Sequence, residues 1–197
     1  HEYLEFASSG KFKPKNSELQ LPDESFSDYL QEWANQYISK VEDGPFEEIK
    51  RTMIKFLESN LELANTDYNC CLHWDNSPDN LIIKDNRINA VIDWEKSISG
   101  TPEWDLAIAR NQMLERWFKS EKIRKELEKE FLKGYEEVRN LGKGWRKRLI
   151  YFQTIHWYMA IGDAGIELNE DVRNKFKTKI RERHNNLEEA ANKEIEY

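Results

Sequence analysis

Asp75, Asn80 and Asp93 are the residues whose types and spacing could do chemistry in this 197-residue chain. Asn80 heads a short apolar run, Leu81-Ile82-Ile83, and Asp93 directly follows another, Ile88 to Ile92. Between them lies Lys84-Asp85-Asn86-Arg87, whose Asp-Asn pair tolerates the left-handed conformations that a tight hairpin needs. The spacing predicts a β-hairpin that brings Asn80 and Asp93 together. An Asn amide oxygen beside an Asp carboxylate suits Mg²⁺, which prefers hard oxygen ligands, takes one or two from protein and leaves the remainder to water and phosphate. Asp75 precedes Asn80 on the same polar loop, which begins at His73, and is placed to accept a proton from an attacking hydroxyl. Taken singly, each of these residues is an ordinary turn former; the constellation is what points to chemistry.

Three linked stretches extend the pattern: His73-Trp74-Asp75-Asn76-Ser77-Pro78-Asp79-Asn80, Val91-Ile92-Asp93-Trp94-Glu95, and Gly100-Thr101-Pro102-Glu103-Trp104-Asp105-Leu106-Ala107. Together they resemble the aminoglycoside phosphotransferase and choline kinase-like family. Its catalytic loop reads H-G-D-x-x-x-x-N, its metal-binding segment I-D-[WF]-E, and its next helix opens on G-x-P-x-x-D-L-A. The resemblance implies a protein-kinase-like fold, ATP or GTP as the phosphoryl donor and Mg²⁺ as cofactor. It implies that Asp75 is the catalytic base and that Asn80 and Asp93 are the metal ligands. His73 would brace the loop, Asp105 would hydrogen-bond the loop backbone, and Ile82 and Ile92 would lie under the adenine ring. Trp74 departs from the family pattern, in which a small Gly follows the His.

The elements that must position these residues are mostly helical. Early acids after Pro22, then Phe26, Tyr29, Leu30, Trp33, Tyr37 and Ile38 on one face, predict a helix that ends before Gly44-Pro45. Phe46 to Leu61 keeps helical spacing to about Ala64. Asn69 to Leu72 reads as a strand, and Trp94 to Gly100 as a loop bordering the site. A helix from Pro102-Glu103 would align Leu106, Ala109, Met113 and Trp117. Another, from about Ser120 to Asn140, would bury Ile123, Leu127, Phe131, Leu132, Tyr135 and Val138. Trp145 to about Ala164 is apolar around much of its circumference, as a central buried helix is, and His156 within it reads as a core histidine. Asp163, Glu167, Glu170 and Asp171 read as helix caps, although they could also hold a cation. Glu170 to Glu194 reads as a charged outer helix with Val172, Phe176, Ile180 and Leu187 inward. His1 to Leu21 shows little periodicity and reads as an irregular lead-in or flap.

Composition is globular, with 39% hydrophobic and 34% charged residues. A net charge of −7 argues against a nucleic-acid or anionic-membrane surface, and it suits a cationic small-molecule acceptor. Cys70 and Cys71 are adjacent and provide no disulfide framework, so a reducing cytoplasm is the expected compartment. No apolar run is long enough for a membrane span.

A kinase of this family also needs a strand-rich N-terminal lobe with a phosphate-covering loop and a nucleotide-positioning Lys. The eight glycines here are scattered and form no such loop, and the chain opens on His1 rather than Met. The chain is therefore expected to be mostly α with a small β-hairpin, the C-terminal catalytic lobe over 1–197. Its parts would be a lead-in over 1–21, a catalytic core over 72–107 and a helical substrate-side layer over 108–197, with the nucleotide lobe as its missing partner. Such a chain would be nearly inactive alone. In its full-length parent it would phosphorylate a hydroxyl of an aminoglycoside-like or amino-alcohol acceptor, with Trp94 and Glu95 as candidate contacts. The rival is a kinase-like module that binds a ligand or partner without turnover, which the absent phosphate loop and Trp74 keep open.

Overall fold

The structure of the segments around residues 70 and 100 is settled by long-range pairing. The computed structural model describes residues 5–6, 10–11, 13–15, 18–20, 25–40, 47–163 and 170–193. Its strands are β1 (Glu5–Phe6), β2 (Gly10–Lys11), β3 (Lys13–Lys15), β4 (Glu18–Gln20), β5 (Asn69–Leu72), β6 (Leu81–Lys84), β7 (Arg87–Val91) and β8 (Ile98–Gly100). One sheet has the order β1-β5-β8-β2, and β3-β4 and β6-β7 are separate antiparallel pairs. Strands thus stand in the lead-in that sequence periodicity leaves irregular, and β8 stands where a loop is expected. The cause is the same in both: two- and three-residue strands carry no readable alternation, and their partners are distant, with Glu5 opposite Cys70, Gly10 opposite Ser99 and Leu72 opposite Ile98.

Helix α1 (Phe26–Ser39) starts at Ser25, whose hydroxyl accepts the Asp28 N–H at 3.1 Å, and it buries Phe26, Leu30, Ala34 and Ile38. Helix α2 (Glu47–Ser59) buries Ile49, Met53, Phe56 and Leu57. It stops short of the expected Ala64 because the Asn60 amide donates to the Phe56 carbonyl at 2.8 Å, closing the last turn before a 3₁₀ turn over Leu61–Ala64. Helix α3 (Glu103–Ala109) is buried at every position and runs into a π-helical segment, Arg110–Glu115. That wider turn rotates the later residues out of register, so Trp117 is 61% exposed rather than aligned with Leu106 and Ala109.

Helix α4 (Glu121–Glu136) has no buried residue, and Ile123 and Val138 are exposed. Of the expected apolar stripe, Phe131, Leu132 and Tyr135 are half-buried against the core, and only the burial of Ile123 and Val138 near its ends fails. Helix α5 (Trp145–Asp163) packs against α1, α3 and α6 (Glu170–Lys193), burying Leu149, Tyr151, Phe152, Ile155 and Tyr158 at the centre of the core. On α6, Ile180 and Leu187 face that core. The side chains of Val172, Phe176, Asp163, Glu167, Glu170 and Asp171 lie outside the described residues. No helix among the described residues is long and apolar enough to cross a membrane.

Gly100 is where the sheet meets the first helix. A Cβ there would lie 2.6 Å from Phe26 Cδ2 and 2.9 Å from Leu72 Cδ1, both buried. Gly100→Ala is expected to lower stability by about 1–3 kcal/mol, an overpacking effect, read as a lower urea midpoint with an unchanged slope.

Candidate active site

The loop from His73 to Asn80 hangs between β5 and β6, so its geometry depends on what ties it to the core. Asp105, from the first turns of α3, supplies most of the tie: the amides of His73 and Trp74 donate to its two carboxylate oxygens at 2.7 and 3.1 Å. Burial pushes the Asp105 carboxyl above its usual range, against the opposing pull of those two N–H bonds. Asn76 adds a third link, its amide donating to the Asp105 carbonyl at 3.3 Å.

His73 is buried and spans loop and hairpin. Its Nδ1 accepts the Asp75 N–H at 3.3 Å, so the ring proton resides on Nε2, which donates to the Ile92 carbonyl at 2.7 Å. The indole of Trp94 lies against the imidazole, with centroids 4.6 Å apart, and is held by donating its N–H to the Val91 carbonyl at 2.9 Å.

Trp74 holds a backbone conformation that a Gly would adopt without strain. Its φ is 72°, a left-handed conformation that strains a residue with a Cβ by roughly 1–2 kcal/mol. The indole is turned back into an aromatic cluster, stacked on Trp104 with centroids 4.4 Å apart and edge-on to Trp33 at 4.6 Å. Such ring pairs contribute about 0.5–1.5 kcal/mol each beyond burial, enough to offset the strain. The loop backbone keeps the glycine conformation while the side chain anchors it to α1 and α3.

The hairpin forms over the expected residues, and Asp85 and Asn86 take φ values of 52° and 58° in its turn. It joins the two oxygen-bearing residues by backbone: the Ile92 N–H donates to the Asn80 carbonyl at 3.0 Å, which sets Asp93 immediately beside that pair. Asn80 also donates its amide to the Asp75 carbonyl at 2.8 Å, so its N–H₂ faces the loop and its Oδ1 remains the acceptor end. Asp93 has φ 65° and ψ 57°, a left-handed kink that ends β7 and starts a 3₁₀ turn over Trp94–Lys96. Asp93 and Glu95 are exposed.

Among the described residues no three His, Cys, Asp or Glu side chains cluster as a protein-only metal cage. One amide oxygen and one carboxylate with open surroundings fit Mg²⁺, which keeps its other positions for water and phosphate.

Strand alternation puts Ile82 and Ile92 on one face of the hairpin with Ala90, and they are 47% and 43% exposed. Ile83, Ile88 and Val91, on the opposite face, and Trp94, just beyond Asp93, are exposed as well.

One charged residue at the site escapes motif reading. Lys96 places its ammonium 2.8 Å from Asp75 Oδ2. The hydrogen bond to Asp75 raises the lysine further above its usual range, so it is a cation. In sequence it is a lysine in a loop, three residues after Asp93, and its contact with Asp75 is tertiary.

Other titratable groups serve packing. Burial pushes the Cys70 and Cys71 thiols up, so neither is a thiolate at neutral pH. Burial lowers His156 to about 4, and as a neutral ring it pairs with the Asn111 amide at 3.1 Å, as expected of a core histidine. A cavity of 1130 Å³ lies among the π-helical segment, α4, α5 and α6, lined by no residue of the loop or hairpin. Its charges are largely spent on one another: Arg110 bonds Glu128 at 2.6 Å and Glu115 at 2.5 Å, and Arg183 bonds Glu115 at 2.8 Å.

A family model described as the phosphotransferase enzyme family matches residues 11–148. No curated protein and no solved structure matches the chain.

Proposed function

Because the chain belongs to the phosphotransferase enzyme family, we propose that it forms the C-terminal catalytic lobe of an ATP- and Mg²⁺-dependent small-molecule kinase. The observation that carries this reading is the hydrogen-bonded unit of Asp75, Asn80 and the start of Asp93, pinned to the core by Asp105 and His73. A loop that only had to turn would not need two side chains and a buried carboxylate to fix the direction of one half-buried Asp.

In this reading the acceptor hydroxyl binds beside Asp75 and its oxygen attacks the γ-phosphorus. A new O–P bond forms, the bond to the nucleoside diphosphate oxygen breaks, and the hydroxyl proton passes to the Asp75 carboxylate. Asn80 Oδ1 and the Asp93 carboxylate would hold Mg²⁺, which when bound neutralises charge on the nucleotide phosphates. Ile82 and Ile92 would offer their open apolar face to the nucleotide base. Trp94 and Glu95, on the rim, would meet the acceptor, and the acidity around them favours a cationic amino sugar or amino alcohol. Phosphoryl transfer is mostly positioning and charge neutralisation, so a strand-rich partner lobe covering the phosphates would be required for full rate.

The test is ADP release by the full-length protein with MgATP against aminoglycosides and amino alcohols. Acceptor-dependent release that vanishes with EDTA and returns with Mg²⁺ supports the kinase. Tight MgATP or acceptor binding with no ADP release from any acceptor would instead support a binding module.

A further inference from the structure

The loop His73 to Asn80 contains no Lys or Arg, and the candidate metal pair, which itself includes Asp93, has the acids Asp79 and Glu95 as sequence neighbours. A nucleotide triphosphate approaching Asp75 therefore meets carboxylates, and the repulsion must be offset locally. Lys96 is the cation in contact with that group, its Nζ 2.8 Å from Asp75 Oδ2. Its direction is set by backbone: the 3₁₀ turn that carries it starts at the left-handed Asp93, and the Ser97 N–H closes it on the Trp94 carbonyl at 3.0 Å. Glu95, its neighbour, makes no such contact, so the turn delivers the positive residue of its acid–base pair to the base.

We propose that Lys96 is a positioning residue for Asp75, holding Oδ2 so that the other carboxylate oxygen faces the acceptor hydroxyl, and offsetting the carboxylate charge that opposes the incoming phosphates. This rests on the kinase reading above. The pair has no large structural role. Lys96 is 54% exposed and Asp75 32%, and exposed ion pairs add little to folding, so Lys96 can be replaced without unfolding the chain.

A double-mutant cycle in the full-length protein tests this, with MgATP and water, choline or kanamycin as phosphoryl acceptor, read as ADP and phosphate release. Lys96→Met is expected to lower kcat by about 10-fold or more, a misplacement effect, with the acceptor KM within about twofold. Lys96→Arg should recover most of the rate, since a guanidinium also bonds a carboxylate. In the Asp75→Asn background, Lys96→Met should remove little further activity, because residues acting as a unit are not additive. An unchanged kcat in Lys96→Met overturns the proposal, and so does a full additional loss in the Asp75→Asn background, which would mean that Lys96 acts on the phosphates without Asp75. If Asp75→Asn itself leaves turnover unchanged, the failure belongs to the kinase reading of Asp75.

Discussion

Asp75→Asn is expected to lower acceptor phosphorylation by ~10²-fold or more while leaving the KM for ATP and the thermal midpoint nearly unchanged. The separation of activity from stability follows from how the residue is held. Its backbone does the structural work: the N–H donates to His73 Nδ1 at 3.3 Å, and the carbonyl accepts from Asn80 at 2.8 Å and from the Ser77 N–H at 2.8 Å. The carboxylate takes no part in those bonds and meets Lys96 and solvent. An amide in its place preserves shape and an acceptor oxygen for Lys96 but cannot take a proton from a hydroxyl at neutral pH. Steady-state ADP release beside a melting curve checks it. Loss of both together would mean that the loop had collapsed, and loss of neither would remove Asp75 from the chemistry. Asn80→Ala is a poorer probe, because it also deletes the bond to the Asp75 carbonyl.

The parts of this site legible in sequence are those whose geometry is local. The hairpin could be read because its turn pair and flanking apolar runs are contiguous, and its backbone then brings residues 80 and 92 together whatever surrounds it. Helices α1 and α5 were legible because amphipathic or uniformly apolar spacing over many residues has one cheap burial solution. What escaped depends on distant partners. The sheet around β5 joins residues as far apart as Glu5 and Gly100, and its strands are too short to show alternation. The π-helical segment after α3 is invisible to a pattern that assumes one period, and it misplaced Trp117. Trp74 reads in sequence only as a departure from the pattern the chain resembles, because the sequence does not show the Trp104 and Trp33 rings that stabilise its left-handed backbone. Lys96 was missed for the same reason, since its partner lies across the loop.

Arg148→Met is expected to lower unfolding free energy by about 3–5 kcal/mol, which is a large share of the roughly 5–15 kcal/mol that holds an ordinary domain together. Arg148 donates twice to one oxygen of Glu103, at 2.9 Å from Nε and 2.5 Å from a terminal nitrogen, and once to the Lys143 carbonyl at 2.7 Å. Glu103 is 2% exposed at its side chain, and its second oxygen is buried without a hydrogen-bond partner among the described residues. Removing the arginine strands a buried carboxylate, and that desolvation is the cause of the loss. Replacing both residues, Glu103→Leu with Arg148→Met, should therefore recover most of the stability, since no charge is left unpaired. The consequence reaches the loop His73 to Asn80 because Glu103 opens the same helical turn that presents Asp105 to the amides of His73 and Trp74. Urea midpoints for the single and double variants measure the pair. Turnover below each variant's midpoint then tells whether α3 merely stabilises the fold or also aims Asp75: a single variant that is folded but slow, rescued in rate by the double, would assign the aiming to the Glu103 end of that helix.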